Sequence, residues 1–360
     1  MVNNNMKSKK IYLVLLVSIL LSSLFLSSCS SGSMLAGTSW PGVAADDQGQ
    51  VFVAYKAAVT AISLDNGGLV WTYPEKADNA QMFYAKPAIS GDLILAGTYN
   101  NKLVAINKTS GSAAWTFEGA QGKYIGGPLV EGDAIYAPNG DQNLYALDSN
   151  GNELWTFATK GALWATPAFD DQNLYVPSMD HNLYAVNRKN GTQIWSTQLD
   201  GASIFSPAYA DGILYIGTID GSFYAIDAKD GSIKWSMMAD AALWSTPVIL
   251  NGKIFFGDLS GNLYAYDVAT GSKTWSLTVD GSVISGPVAL NDIVVFPTDN
   301  GDLVAVNESG AKVWTRSVEG KIMGTPVVDG DKLIFGVVNG KALIYAFDFN
   351  GNQVWEYSEK

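Results

Sequence analysis

The stretch TPVILNGKIFFGDLSGNLYAYDVATGSKTW, residues 246–275, decides how the rest of the chain is read. Four short segments within it, at 246–250, 253–257, 262–267 and 273–277, run or alternate apolar. Between them stand Asn251-Gly252, Ser260-Gly261 and Ala269-Thr270-Gly271. Asn-Gly and Ser-Gly pairs supply the positive φ that tight hairpins need, so the stretch reads as a four-stranded antiparallel meander. It is one copy of eight. The copies end on Trp71, Trp115, Trp155, Trp195, Trp235, Trp275, Trp314 and Trp355, spaced 44, 40, 40, 40, 40, 39 and 41 residues apart. Each opens on a proline: Pro41, Pro87, Pro128, Pro167, Pro207, Pro247, Pro287 and Pro326. Four-stranded units at this period are the mark of a β-propeller, so the fold class is all-β with eight four-stranded antiparallel blades.

A small four-stranded sheet cannot bury both faces alone and must pack on its neighbours. The tryptophan at the same phase of every copy suits that task, since such a ring buries roughly 150–250 Å². The surrounding pattern is Ala, any residue, Asp or Asn, a turn glycine, then Trp, as in Ala225-Ile226-Asp227, Gly231, Trp235. It resembles the quinoprotein-type (PQQ-like) propeller repeat with its tryptophan-docking motif, from Thr38 to about Tyr357. The resemblance implies that the eight tryptophans are structural docking residues.

The N-terminus reads as a targeting segment. Lys7, Lys9 and Lys10 precede an uncharged apolar run to Leu26, the secretory pattern. Leu26-Ser27-Ser28-Cys29 resembles a bacterial lipobox, which implies cleavage after residue 28 and a lipid on Cys29. An uncleaved anchor helix is the alternative, because the run is nearly long enough to span a bilayer. The expected organisation is a signal peptide at 1–28, the lipidated cysteine and a Ser/Gly-rich tether at 29–37, and the propeller at 38–360. Cys29 is the sole cysteine of 360 residues, so an intrachain disulfide is excluded. Net charge is −12, and no Lys/Arg cluster follows the first ten residues, which argues against nucleic acid as a partner. Each terminus owns a whole blade, and the sequence leaves open how the ring is closed.

Few residues suggest chemistry. His181, the single histidine, aligns with Gly221, Gly261 and Gly301 of other copies and reads as a turn residue. Without a second histidine or cysteine, His-dependent nucleophilic catalysis has no support. The Asp/Asn set at 107, 148, 187, 227, 267, 307 and 348 falls one per blade, each before a turn glycine, and reads as Asx turns rather than metal ligands. No catalytic, metal or cofactor residues are therefore expected. The loops leading into the prolines are richer in aromatics. Tyr84, Tyr124, Trp164, Phe205 and Trp244 are expected at one repeat phase, ringing one mouth of the central channel as a surface for a partner or ligand. Packing beneath their own loops is the alternative.

Quinoprotein dehydrogenases, which the repeat resembles, carry adjacent cysteines and long calcium-binding inserts that this chain lacks. The closer resemblance is to the BamB family, lipoprotein propellers of outer-membrane β-barrel assembly. It implies a non-catalytic scaffold, monomeric and lipid-anchored on an extracytoplasmic membrane face, with an envelope protein as partner. The alternatives are a PQQ-dependent dehydrogenase-like enzyme and a glycan- or ligand-binding propeller that uses the aromatic mouth.

Overall fold

A computed structural model describes residues 40–78 and 81–359; Cys29, the signal segment and the tether lie outside the described residues. The described residues contain no helix and form eight sheets in chain order, each one blade. In blade 6 the strands are Val248–Leu250, Lys253–Gly257, Asn262–Asp267 and Lys273–Thr278, all antiparallel neighbours. The first is two residues shorter than the apolar run suggests, because Thr246 and Pro247 precede its pairing. First strands of adjacent blades approach one another, which puts them around the axis and the fourth strands on the outside.

The second and third strands are the buried ones. Four consecutive residues are buried in each of Lys253–Gly257 and Asn262–Asp267, whereas Lys273–Thr278 has only exposed and half-buried residues. Both faces of the middle strands meet neighbouring blades, which is why their sequence runs apolar rather than alternating. The core is therefore eight inter-blade clusters. One of them packs Tyr215, Phe223 and Leu243 against Ile254, Phe256 and Tyr264.

The tryptophans sit on the fourth strands at these joints. Seven of the indoles donate from Nε1 to a backbone carbonyl of the following blade, as in Trp71 to Lys108 at 2.8 Å and Trp275 to Glu308 at 2.9 Å. Each acceptor lies near a turn glycine whose missing side chain leaves room for the ring. A Cβ on Gly271 would come within 2.6 Å of Trp235, and one on Gly191 within 2.6 Å of Trp155. Both glycines hold positive φ, so a side chain there would be strained as well as crowded. Seven of the rings are half-buried rather than enclosed; only Trp355 is buried, at 7% exposure.

That exception closes the ring. Trp355 Nε1 donates to Leu64 O at 2.6 Å, joining residues 291 apart in sequence, and a Cβ on Gly67 would lie 2.8 Å from its ring. Val43, Val53 and Ile62 of blade 1 pack with Ile334, Ile344 and Trp355 of blade 8. Among the described residues no strand is exchanged between the two ends of the chain: blade 1 takes its four strands from 42–73 and blade 8 from beyond residue 320. Blade 8 also gains a fifth strand, Lys321–Ile322, paired with Val337 and Val338. The joint between the chain's ends thus uses the same indole-to-carbonyl bond as six of the other seven.

Three joints carry an ion pair from the residue that follows the Asx position. Lys108 Nζ meets Asp46 of blade 1 at 2.9 Å, Arg188 meets Glu131 of blade 3 at 3.3 Å, and Glu308 meets Lys253 of blade 6 at 3.2 Å. Only the first is buried, with side-chain exposures of 6% and 3%.

Candidate functional site

The mouth of the propeller is built by the loops that enter the blades. Each is held between two hairpin turns by backbone hydrogen bonds. Leu163 N donates to Asn139 O of the turn behind it at 3.1 Å, while Met179 N of the turn ahead donates to Ala162 O at 3.0 Å. The same pair of bonds holds Leu243 on Thr218 (3.2 Å) and Leu259 on Ala242 (3.1 Å). This clamp fixes which loop residues point inward.

Counting back from each proline separates them. The residue four positions back turns into the core: Phe83, Tyr124, Leu163, Leu243, Val283 and Ile322 are at most 3% exposed. The residue three positions back turns outward. It is half-buried at Ile125, Trp164, Ile204, Ile284 and Met323, and Trp244 is 37% exposed. The expected five-residue aromatic ring is therefore corrected. Tyr124 stands four positions back and is fully buried, among Leu103, Phe117 and Tyr145. Burial, then neighbouring Tyr145 and Asp141, hold its phenol far above the usual range. Phe205 is only two positions back and half-buried. Tyr84 has the right phase, but it is 3% exposed and stacks on Tyr99 with centroids 3.6 Å apart. Of the five aromatics, Trp164 and Trp244 share the outward phase without being buried.

Other residues join them, and the sequence reading missed these. The second residue of each hairpin turn under the loops is Met179, Ile219 and Leu259 in blades 4 to 6. Ile219 is 39% exposed, and the other two are half-buried. Blade 3 has Gly140 at this position and blade 7 has Asp299. The signal was available, since each follows the polar residue just beyond the second strand. The outcome is an apolar arc over blades 4 to 6.

Carboxylates border the arc. Asp200, Asp240 and Asp280 lie exposed on the entering loops, and Asp180 and Asp220 lie in the turns. Although burial opposes it, hydrogen bonds from Tyr184, Lys160 N and Asn182 hold the Asp180 carboxyl below its usual range. Asp220 is likewise lowered, against burial, by Thr218 and Ser222. Both lowered carboxyls, Asp180 and Asp220, are therefore ionised at neutral pH.

The remaining candidates behave as backbone supports. His181 has φ 67°, in register with Asn101 (68°), Gln142 (75°) and Gly221 (96°), so the hairpin requires a left-handed residue there. The Asx side chains accept backbone N–H groups two residues on, as Asp227 does from Lys229 N at 2.9 Å and Asp348 from Asn350 N at 2.9 Å. Among the described residues, no group of three or more His, Cys, Asp or Glu is placed to hold a metal ion.

With this geometry in hand, known proteins can be compared. A family model described as outer membrane protein assembly factor BamB matches residues 28–155, 140–285 and 280–360. The chain belongs to the BamB family. Its fold is similar to the crystal structure of BamB from Moraxella catarrhalis, with TM-score 0.73 and 18% identity over 89% of this chain and 99% of that one. It is also similar to the computationally designed Ika8 protein, with TM-score 0.76 and 13% identity over 88% of this chain and 98% of that one. At such identities these two likenesses concern fold alone. A tetrathionate hydrolase of Acidithiobacillus ferrooxidans is 27% identical over 115 residues, 24% of this chain and 23% of that protein. The chain thus matches about a quarter of that relative's length.

Proposed function

We propose that this BamB-family chain is a non-catalytic, lipid-anchored scaffold of the bacterial envelope that works in outer-membrane protein assembly. Membership of the family, matched from residue 28 to 360, carries the reading. The apolar arc around Trp164, Ile219 and Trp244 is the surface we assign to a protein partner. Exposed apolar residues with aromatics among them are typical of binding hot spots. The acidic border calls for a partner segment whose apolar residues are flanked by Lys or Arg. The eight tryptophans are assigned to blade docking and take no part in recognition.

Cys29 is assigned as the lipidated first residue of the mature protein, from the Leu26-Ser27-Ser28-Cys29 sequence. Cys29→Ala is expected to accumulate as an unprocessed precursor. Mass spectrometry of the natural chain that found residues 1–28 still attached would refute the anchor.

The partial match to tetrathionate hydrolase favours a second, enzymatic reading. Purified protein is expected to leave tetrathionate unconsumed and, with pyrroloquinoline quinone and calcium, to reduce no dye with alcohols. Turnover in either assay, lost on heat denaturation, would replace the scaffold with an enzyme.

A further inference from the structure

We propose that the central channel contains a binding site for a small tetrahedral oxyanion of the phosphate or sulfate class, built around Lys86. The residue just before each blade's proline stands at the head of a first strand, where neighbouring blades meet about the axis. Several of these residues touch across neighbouring blades. Thr166 Oγ1 donates to Gly127 O at 2.8 Å, and Gly286 N donates to Thr325 Oγ1 at 2.9 Å. A Cβ on Gly127 would fall 2.6 Å from Lys86 O and 3.3 Å from Thr166 Oγ1.

Lys86 is the one charged residue at this phase; the others are Trp40, glycines, threonines and Ser206. Its side chain is exposed, yet the surrounding protein desolvates the ammonium and lowers its pKa. Lys86 is thus open to solvent yet crowded by protein, at the head of a first strand beside the axis. Among the described residues it makes neither a hydrogen bond nor an ion pair. The chain carries a net −12, so the lack of any carboxylate in this ring is a property of the place rather than of composition.

The hydroxyls of the ring complete a donor set. Ser206 and Thr246 have no side-chain partner among the described residues. Thr325 Oγ1 accepts from Gly286 N, which leaves its own proton free to donate. The ring thus offers an ammonium and three free hydroxyl protons, one from each of four blades, at the heads of strands that meet about the axis. A tetrahedral oxyanion presents acceptors in several directions, and low-dielectric walls strengthen its attraction to Lys86.

The test is a calorimetric titration of the full-length protein with inorganic phosphate, sulfate and, separately, acetate at low ionic strength. Saturable one-to-one binding of phosphate or sulfate is expected. Lys86→Met should weaken it by at least about tenfold, as loss of a charge-assisted hydrogen bond does. Lys86→Arg should retain it, and an unchanged melting temperature for both variants separates lost binding from lost folding. Heats of dilution alone in the natural chain, or equal binding by Lys86→Met, would overturn the site. Binding of acetate in preference to both tetrahedral ions would overturn the ligand class.

Discussion

Trp355→Ala is expected to lower stability by about 3–5 kcal/mol, the range for removing a buried tryptophan. The same change at Trp235 should cost less, about 2–3 kcal/mol, because that ring is half-buried and less contact is lost. Three losses combine at Trp355. Its ring leaves the cluster that unites blades 1 and 8, the Leu64 carbonyl loses its donor, and a cavity opens beside Gly67. Among the described residues no blade is shared between the two ends of the chain, so this joint bears closure without covalent help. Melting temperature should fall on the order of 5–10 °C for a domain of this size. Equal losses at Trp355 and Trp235 would mean that closure is no more demanding than any other joint.

Asp46→Ala should be nearly as costly, at about 3–5 kcal/mol, because it strands the Lys108 ammonium in a buried joint. Asp46 Oδ1 also accepts from Gln48 N and Gln50 N, at 3.1 and 2.8 Å, and both turn bonds would go with it. Lys108→Met should behave differently from the exposed Lys102→Met, which removes only a surface pair with Glu118 worth at most about 1 kcal/mol. The double change Asp46→Leu with Lys108→Met should recover most of the loss, since matched apolar residues replace buried pairs at little cost. Urea denaturation of the four variants decides it. A single-variant loss below about 1 kcal/mol would show that the pair is solvated.

Much of this fold was legible because each blade solves the same packing problem with the same residue types. The period, the turn glycines and the tryptophan phase identified blade number and strand order without any structure. The second, third and fourth strands of blade 6 begin where the apolar runs do. Ring closure was not legible, since contact between Leu64 and Trp355 depends on the whole ring bending round. Nor was the Asp46–Lys108 pair, whose members sit at different phases of adjacent copies.

The mouth was legible in part. Aromatic residues in the entering loops pointed to the right loops, but a β-like loop alternates its side chains, and one step changes inside to outside. Tyr124 and Trp164 look equivalent as aromatics near a proline; the backbone clamp onto Thr98 and Asn139 sends the first into the core and leaves the second outside. Met179, Ile219 and Leu259 were passed over because hairpin-turn positions are read for turn chemistry, not for exposed apolar surface.

The most direct test of the scaffold reading is photo-crosslinking in living cells from position 244, with Trp244 replaced by a photoreactive phenylalanine analogue. An identical probe at Leu154, exposed on an outer strand, serves as the reference. The account predicts that the position 244 probe captures a component of the outer-membrane β-barrel assembly machinery, identified by mass spectrometry, and that adding Trp164→Ala sharply reduces the yield. Capture of such a component from position 154 alone, with nothing from position 244, would contradict it.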